Sequence, residues 1–546
     1  MAASSRPIVK ASNLVVEFPA SEGMFRALDG IDFEAWPEEC VGLIGESGSG
    51  KSTLALAVGG INRAGRKPSG GSVKTFGRDV FSLEGEDRRR FLSHEIGFIF
   101  QNPVTSLDPT RKIGSQFYST DGRMPPADIA DLLKSVGIHD ASRILSAFPR
   151  EMSGGMAQRV CIAMAIASRP KLLVADEPTS ALDAAVRMRI LDLLAETRKR
   201  TQATLILVSH DLRAVRQCCD RICVMRAGKI VEVGPTEAVI EDPQHDYTKD
   251  LMRAGQVAGK LIRSSRSADE PAPPSSGPAV ISLKGVRVRY PKGPPWARKY
   301  HDAVRNVDLA IGAGEILGLV GESGSGKTTI GRICIGLLNQ SEGEATLDGM
   351  PLYRMGRRKP GVLGAVLQHP EWSLDPLMSI GRSIAEPLKL IDGVSPAERR
   401  ERVLGMLAKV GLRADLIERF PRELSGGQRQ RASIARALIT HPRFILFDEA
   451  VSALDVSIQA QILDLVRSVQ ESAKFAGLFI SHDIAAVRSI ATRIAVLLAG
   501  EIVECAPAHD FYKPMAHPYT RHLQRASGLI EGTEDYAGAV FKQEVA

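Results

Sequence analysis

One seven-residue segment, Gly-Glu-Ser-Gly-Ser-Gly-Lys, occurs twice in this chain of 546 residues, at positions 45–51 and 321–327. Four further motifs follow each copy in the same order, and their paired positions are Gln101 with Gln368, Ser153 with Ser425, Asp176 with Asp448, and His210 with His482. Recurrence of several motifs in one order indicates repeated structural units. The chain is therefore predicted to contain two homologous domains arranged head to tail.

A stretch rich in Ser, Pro and Ala separates the two repeats, and its low apolar content is typical of an exposed linker. We place the first domain at 8–262, the linker at 263–278 and the second domain at 279–529. The remaining residues, 530–546, are predicted to form a loose C-terminal tail.

The composition is that of folded domains that do not cross a membrane. Hydrophobic residues make up 44% of the chain and charged residues 24%, as in soluble globular proteins. No window has the roughly 18 consecutive apolar residues of a membrane span, and residues 1–7 lack the apolar core of a secretory signal. The formal charge of +7 comes from basic residues interspersed with acidic ones, so no nucleic-acid partner is expected. We expect the chain to stay in the cytoplasm.

The repeated segment has the sequence and the setting of a phosphate-binding loop. In each half a short apolar strand, 41–44 or 317–320, runs into Gly-x-x-x-x-Gly-Lys-Ser/Thr and then into a stretch that can form a helix. The glycines permit a tight loop whose N–H groups face the phosphates, the lysine neutralises phosphate charge, and the next hydroxyl can ligate Mg²⁺. A Gly-rich turn could match this pattern once by chance, but two matched copies argue against chance. The predicted nucleotide-binding residues here are Gly45, Glu46, Ser47, Gly48, Ser49, Gly50, Lys51, Ser52 and Thr53, with Gly321, Glu322, Ser323, Gly324, Ser325, Gly326, Lys327, Thr328 and Thr329.

Acidic pairs at 176–177 and 448–449 end an apolar strand in each half. The first acid of each pair is placed to hold Mg²⁺, usually through water, and the second could polarise an attacking water. Adjacent acids at a strand end can also be merely solvated, and the phosphate loop that precedes them favours the catalytic interpretation. A third strand in each half ends in Ser-His-Asp, which puts His210 and His482 at the edge of the sheet where ligands bind in open α/β folds.

A Ser-Gly-Gly turn lies at 153–155 and again at 425–427, each time before a helical pattern, at 157–168 and 429–440. The N-terminus of a helix binds anions, so each turn offers a second phosphate-directed surface in its domain.

With these signature segments the chain resembles the ATP-binding cassette (ABC) family over nearly its whole length, because other phosphate-loop enzymes lack that motif. The resemblance implies an α/β fold of two tandem P-loop NTPase domains of the ABC nucleotide-binding type, each with a mostly parallel sheet core and a helical subdomain. It implies an ATPase with ATP and Mg²⁺ as cofactors. Two cassettes of the family sandwich ATP head to tail, so an intramolecular cassette pair would join 45–52 with 425–428 and 321–328 with 153–156.

The resemblance also implies a role for each matching residue. Glu177 and Glu449 would be the general bases, and His210 and His482 would contact the γ-phosphate. The other assignments are Ser52, Gln101, Asp176, Thr328, Gln368 and Asp448 for binding or sensing Mg²⁺; Ser153, Gly154, Gly155, Ser425, Gly426, Gly427 and Gln428 for the signature segments; Asp183 and Asp455 for communication across the cassette pair; and Phe18 and Tyr290, the matching aromatics before the first sheet strands, for stacking on adenine, with Phe25 close to Phe18.

Two segments favour the oligopeptide, dipeptide and nickel importer branch of the family. The glutamine segments at 101–109 and 368–376 resemble that branch's Gln-Asn-Pro-x-x-Ser-Leu-Asn-Pro, with Asp in place of Asn in both, and 517–521 reads His-Pro-Tyr-Thr-Arg with a looser copy at 245–249. The resemblance implies an ATP-hydrolysing subunit that energises import of peptides or similar small solutes. Its partners would be two transmembrane permease subunits and, indirectly, an extracytoplasmic solute-binding protein. It would lie peripherally on the cytoplasmic face of the inner membrane.

Two departures and two alternatives qualify this prediction. Met156 stands where many family members have Gln, although the branch's first subunit often has Met, and Ala450-Val451 replaces the Pro178-Thr179 of the first half. A non-transport tandem ATPase of translation or DNA repair is disfavoured because the linker is short and Pro-rich and zinc-ligand cysteine pairs are missing. An exporter ATPase is disfavoured by the glutamine segments and the His-Pro-Tyr segment.

Overall fold

The computed structural model describes residues 6–530 except for several gaps, and it divides the chain into two compact units, Met1–Gln256 and Val257–Ala546. The residues outside the description are 1–5, 21–22, 47, 62–66, 120–121, 153, 180–183, 254–277, 293–298, 323, 353–359, 369–372, 392, 452–455, 528 and 531–546. Nearly all of the predicted linker, 263–278, and tail, 530–546, falls in these gaps. The domain boundaries at 262 and 279 therefore stay predictions.

A six-stranded sheet of order β12-β11-β3-β10-β9-β6 forms the centre of the first unit, and all of its neighbouring strands are parallel except the β11–β12 pair. A four-stranded antiparallel sheet of order β2-β1-β4-β5 accompanies it. The strands of the first unit are β1 (Val9–Ala20), β2 (Gly23–Ala35), β3 (Cys40–Ile44), β4 (Gly70–Thr75), β5 (Arg78–Asp79), β6 (Ile96–Ile99), β7 (Tyr118–Ser119), β8 (Gly122–Arg123), β9 (Leu172–Asp176), β10 (Thr204–Val208), β11 (Arg221–Arg226) and β12 (Lys229–Pro235).

The central strands of this sheet are buried on both faces, which explains why β3, β9 and β10 read as continuous apolar runs. Alternate residues of β10 enter two different cores. Leu205 and Leu207 pack with the helices of the unit, whereas Ile206 and Val208 pack with the antiparallel sheet. The parallel sheet is therefore the middle layer of the first unit.

Helices cover the parallel sheet of the first unit and fill the connection between β6 and β9, where the predicted helical subdomain lies. The described helices are Lys51–Val58, Gly85–His94, Pro103–Ser106, Pro126–Ser135, Ala141–Ser146, Gly154–Ala167, Ala184–Thr201, Leu212–Cys218, Thr236–Glu241 and 246–253, with 3₁₀ turns at Ile113–Ser115 and Pro149–Glu151.

The second unit repeats this architecture, with a six-stranded sheet of order β18-β19-β20-β15-β21-β22 and a four-stranded sheet of order β14-β13-β16-β17. Its strands are β13 (Ala279–Lys292), β14 (Lys299–Gly312), β15 (Ile316–Val320), β16 (Glu342–Leu347), β17 (Met350–Pro351), β18 (Leu363–Val366), β19 (Phe444–Asp448), β20 (Ala476–Ile480), β21 (Arg493–Leu498) and β22 (Glu501–Pro507). Its described helices are Lys327–Cys334, Ile380–Ala385, Pro396–Lys409, Gly426–Leu438, Val456–Ala473, Ile484–Ile490 and Pro518–Ala526, with 3₁₀ turns at Glu386–Leu390, Ala414–Glu418, Pro421–Glu423 and Ala508–Tyr512.

The predicted fold class is confirmed, since each unit has a mostly parallel sheet core flanked by helices. The antiparallel sheet beside each core is an addition that the sequence patterns did not indicate. Among the helices that the structure describes, none combines the length and the apolar character that crossing a bilayer requires.

Candidate nucleotide-binding site

The phosphate loop of each half follows the central strand of its parallel sheet and leads into a helix, as predicted. Gly50, which precedes the helix Lys51–Val58, has a left-handed backbone with φ of 103°, and a Cβ atom there would lie 2.5 Å from the carbonyl oxygen of Ala27. Gly326 in the second half has φ of 106°, and the matching distance, to the oxygen of Ala303, is 2.4 Å. Only glycine combines this backbone with so close an approach.

The lysine of each loop is buried and held by its own loop. The Nζ of Lys51 donates to the carbonyl oxygens of Gly45 and Glu46, both at 2.7 Å. The Nζ of Lys327 donates in the same way to Gly321 at 2.8 Å and to Glu322 at 2.6 Å. The ammonium group is thus fixed inside the curve of the loop, where it can neutralise an entering phosphate.

The hydroxyl after each lysine meets the acid at the end of a neighbouring strand. Ser52 Oγ donates to Asp176 Oδ1 at 3.0 Å, and Thr328 Oγ1 donates to Asp448 Oδ1 at 3.4 Å. Hydroxyl and carboxylate oxygens are the donors that Mg²⁺ prefers, so the two pairs fit a magnesium ion.

Asp448 lies in surroundings that favour a bound cation. Burial, and then the charge of the adjacent Glu449, raise the pKa of Asp448 to about 6. Hydrogen bonding from Thr328 and the positive charges of Arg332 and Lys327 lower it, but they do not offset the burial. A divalent cation would relieve the cost of the buried negative charge.

The predicted bases and histidines lie next to each other, at the carboxyl edge of the sheet. His210 Nδ1 is 2.8 Å from Glu177 Oε1, and His482 Nδ1 is 3.9 Å from Glu449 Oε1. The first pair is at hydrogen-bonding distance and the second is not. The two halves therefore share this arrangement but differ in how tightly it closes.

Both glutamates have a left-handed backbone, with φ of 52° at Glu177 and 50° at Glu449. Their N–H groups donate to Val208 and Ile480, the last residues of β10 and β20, each at 3.0 Å. A non-glycine residue in this conformation costs of order 1–3 kcal/mol, and such residues cluster at functional sites. The sequence gives no sign of this feature, because glutamate is an ordinary residue for a right-handed or extended backbone.

The signature helices begin at the glycines, at Gly154 and Gly426, three residues earlier than the predicted helical patterns at 157–168 and 429–440. In the second half the two ends of a capping box are present: Ser425 Oγ accepts from the N–H of Gln428 at 3.3 Å, and Gln428 Oε1 accepts from the N–H of Ser425 at 3.0 Å. Met156 stands at the matching position of the first half and has no side-chain oxygen to accept such a bond.

Gln101 and Gln368 follow the edge strands β6 and β18 and are exposed. Neither makes a hydrogen bond to the Ser52–Asp176 or Thr328–Asp448 pair within the described parts of the two units. Their predicted role as magnesium sensors stays a prediction.

The two predicted adenine-stacking residues lie in strands of the antiparallel sheets. Phe18 is in β1, opposite Phe25 of β2, and Tyr290 is in β13, opposite His301 of β14. Both still precede the parallel-sheet strands that lead into the phosphate loops. Phe18 is partly buried against the core under the antiparallel sheet, whereas Phe25 is 55% exposed, so the choice between them stays open.

Five predicted site residues, Ser47, Ser153, Asp183, Ser323 and Asp455, lie outside the described residues, and the assignments made to them stay predictions.

Sequence reasoning missed one contact to each phosphate loop. The N–H of Glu46 donates to the hydroxyl oxygen of Tyr247 at 2.9 Å, and the N–H of Glu322 donates to that of Tyr519 at 2.8 Å. The signal that could have indicated it is the Tyr-Thr pair that recurs at the end of both repeats.

Comparison with known families gives a match for both halves. The family model described as "ABC transporter" matches residues 28–180 and 304–452. The chain belongs to the ABC transporter family. A second model, described as "oligopeptide/dipeptide transporter, C-terminal region", matches residues 231–276 and 503–544.

ATP-binding proteins of peptidoglycan and glutathione transporters are similar to this ABC protein over almost its full length. A peptidoglycan transport ATP-binding protein, YejF, of Agrobacterium fabrum is 39% identical over 98% of this chain and 99% of its own. The glutathione import ATP-binding protein GsiA of Salmonella paratyphi A is 37% identical, and that of Escherichia coli is 36% identical, each over 96% of this chain and 90% of its own.

These findings confirm the predicted activity and its class. This ABC protein binds and hydrolyses ATP as the energy-supplying subunit of an importer, and the alternatives of an exporter or a non-transport ATPase are not supported. A subunit of this kind works with membrane permease subunits.

Proposed function

We propose that this chain energises the import of peptides or closely related small solutes, working with two permease subunits and an extracytoplasmic solute-binding protein from the cytoplasmic face of the inner membrane. The observation that carries the proposal is the presence of the oligopeptide/dipeptide C-terminal segment in both halves, at 231–276 and 503–544. A fold alone does not identify a cargo, whereas this segment belongs to one transporter class.

We assign the chemistry of each half to the side chains gathered at the carboxyl edge of its parallel sheet. Lys51 and Lys327, fixed by their own loops, would neutralise the β- and γ-phosphates. Phosphoryl transfer depends mainly on positioning and charge stabilisation, which suits a preformed loop.

Ser52 with Asp176, and Thr328 with Asp448, would hold Mg²⁺. The ion, when bound, neutralises charge that develops on the phosphate oxygens. The hydroxyl that donates to each carboxylate fixes the direction of that carboxylate.

Glu177 and Glu449 would accept a proton from the attacking water, and His210 and His482 would orient that water and contact the γ-phosphate. The 2.8 Å contact between His210 and Glu177 places base and histidine close enough to share one water.

The test is the double variant Glu177→Gln with Glu449→Gln, which keeps the size of each side chain and removes its basicity. Steady-state ATP hydrolysis should fall by at least about 100-fold, the range expected for loss of a general base. MgATP should stay bound to the variant through gel filtration, because the groups that bind phosphate are unchanged.

A matched control replaces two surface glutamates, Glu86→Gln with Glu418→Gln, whose side chains are 70% and 69% exposed. Its turnover should equal that of the unmodified chain. Turnover within twofold of normal in the Glu177/Glu449 variant would overturn the assignment of the bases.

A further inference from the structure

The tyrosine of each C-terminal segment reaches its own phosphate loop across about two hundred residues of sequence. Tyr519 is fully buried and Tyr247 is 6% exposed, and each hydroxyl accepts the N–H of the second residue of a loop, Glu322 or Glu46. The same contact is therefore present in both halves.

The peptide group that each tyrosine binds is the one that the loop lysine also binds. The N–H of Glu322 and the C=O of Gly321 belong to a single planar peptide unit, whose two polar groups point in opposite directions. Tyr519 accepts from the N–H at 2.8 Å, and Lys327 donates to the C=O at 2.8 Å. The unit is therefore clamped between the tyrosine hydroxyl and the lysine ammonium.

The first half has the same clamp. Tyr247 accepts from the N–H of Glu46 at 2.9 Å, and Lys51 donates to the C=O of Gly45 at 2.7 Å. A hydrogen bond at the N–H end polarises the peptide and makes its carbonyl a stronger acceptor. The tyrosine hydroxyl thus affects both the orientation of the peptide and the position of the lysine.

The tyrosines themselves are fixed from the last strand of each unit. In the second half Glu504 of β22 accepts the N–H groups of Ala516 and His517, and His517 Nδ1 accepts the N–H of Tyr519 at 3.2 Å. The Tyr519 ring packs in the hydrophobic core that includes buried residues of the helical subdomain.

In the first half Glu232 of β12 accepts the N–H groups of Gln244 and His245, and His245 Nδ1 accepts the N–H of Tyr247 at 3.1 Å. In each half, hydrogen bonds therefore connect the last strand of the sheet to the segment that carries the tyrosine, and the tyrosine to its phosphate loop.

We infer that Tyr247 and Tyr519 are positioning residues for ATP hydrolysis, which set the first peptide of each phosphate loop and, through it, the phosphate-binding lysine. The C-terminal segment that marks this transporter class is then a structural part of each nucleotide site. The lysine acts on the phosphates in both the ground state and the transition state, so its misplacement weakens nucleotide binding more than it slows the chemical step.

The test is the double variant Tyr247→Phe with Tyr519→Phe in the full chain, which removes two hydroxyls and keeps both rings. The KM for MgATP and the Kd of a fluorescent ADP analogue should rise together by about 3- to 10-fold, the range that one neutral hydrogen bond supplies, with kcat within about twofold of normal. The melting temperature without nucleotide shows whether the variant is folded.

Thr520→Val is the matched control, because Thr520 is adjacent to Tyr519, fully buried, and has a hydroxyl without a hydrogen-bond partner among the described residues. It should leave KM, Kd and kcat unchanged. If the double tyrosine variant does not fold, each single Tyr→Phe variant should show one normal and one weakened site in the same titration. Unchanged Kd values in folded tyrosine variants, or an equal rise in Thr520→Val, would overturn the inference.

Discussion

At the scale of one residue, the buried carboxylate of Asp448 lowers the stability of the nucleotide-free fold at neutral pH. Its pKa is raised to about 6 by burial and by Glu449, from an ordinary value of 3.8. The folded chain therefore prefers the neutral acid. The stability that this preference supplies is fully present below pH 3.8 and is lost as the pH rises through 6. At neutral pH the site therefore holds a buried negative charge, which a bound cation would stabilise.

Asp448→Asn should therefore stabilise the second unit without nucleotide at pH 7.5 and give no such gain at pH 4. A shift of about two pKa units corresponds to about 3 kcal/mol, and residual contact with water reduces the expected gain to about 1–2 kcal/mol. The melting temperature of the nucleotide-free chain, measured by calorimetry at both pH values, checks this. A gain of equal size at pH 4, or a loss at pH 7.5, would contradict the account of this carboxylate.

At the scale of elements, each phosphate loop depends on glycines with left-handed backbones, but the loop glycines differ in their surroundings. A Cβ atom on Gly50 would meet the carbonyl oxygen of Ala27, whereas one on Gly48, with φ of 83°, would have no atom of the described residues within 4 Å. Substitutions at Gly48 and Gly50 therefore distinguish the free-energy cost of the backbone conformation from the cost of the close approach to Ala27.

Gly50→Ala should abolish binding of a fluorescent ATP analogue to the first site, because the loop must move to make room for the new methyl group. Gly48→Ala, which carries the backbone strain of about 1–2 kcal/mol alone, should weaken that binding by about 30-fold or less. Equal affinities in the two variants would show that contact with Ala27 does not shape the loop.

The sequence was sufficient for elements whose pattern is continuous and local. The apolar runs of β3, β9 and β10 predicted central parallel strands, because only strands covered on both faces are apolar throughout. The antiparallel sheets were not predicted, since β1 and β2 mix exposed and buried residues with several register shifts. The positions of Phe18 in β1 and of Tyr290 in β13 were not predicted for the same reason.

The charged and hydroxyl-bearing residues of the site were predicted because the repeat marks them twice. The structure brings these lysines, hydroxyls, acids and histidines together in each half. The tyrosine contacts were not predicted, since they depend on two segments that meet only in the folded unit. The left-handed backbone at Glu177 and Glu449 was also missed, because no residue type that favours it stands there.

At the scale of the whole molecule, each half carries the side chains that we propose for ATP hydrolysis, yet the two halves differ in detail. His210 and Glu177 are in contact while His482 and Glu449 are 3.9 Å apart, and only the second signature segment has a glutamine in its capping box. Both halves end in the segment found in oligopeptide and dipeptide transporters. The chain is thus an import ATPase, and its two proposed nucleotide sites are related but not identical.

The most direct measurement is affinity purification of the tagged full-length chain from its native cells in mild detergent, followed by quantitative mass spectrometry, with untagged cells as the control. Two multi-span permeases should be recovered in amounts comparable to the chain itself. Recovery of ribosomal or DNA-repair proteins in such amounts, with no permease, would contradict this expectation.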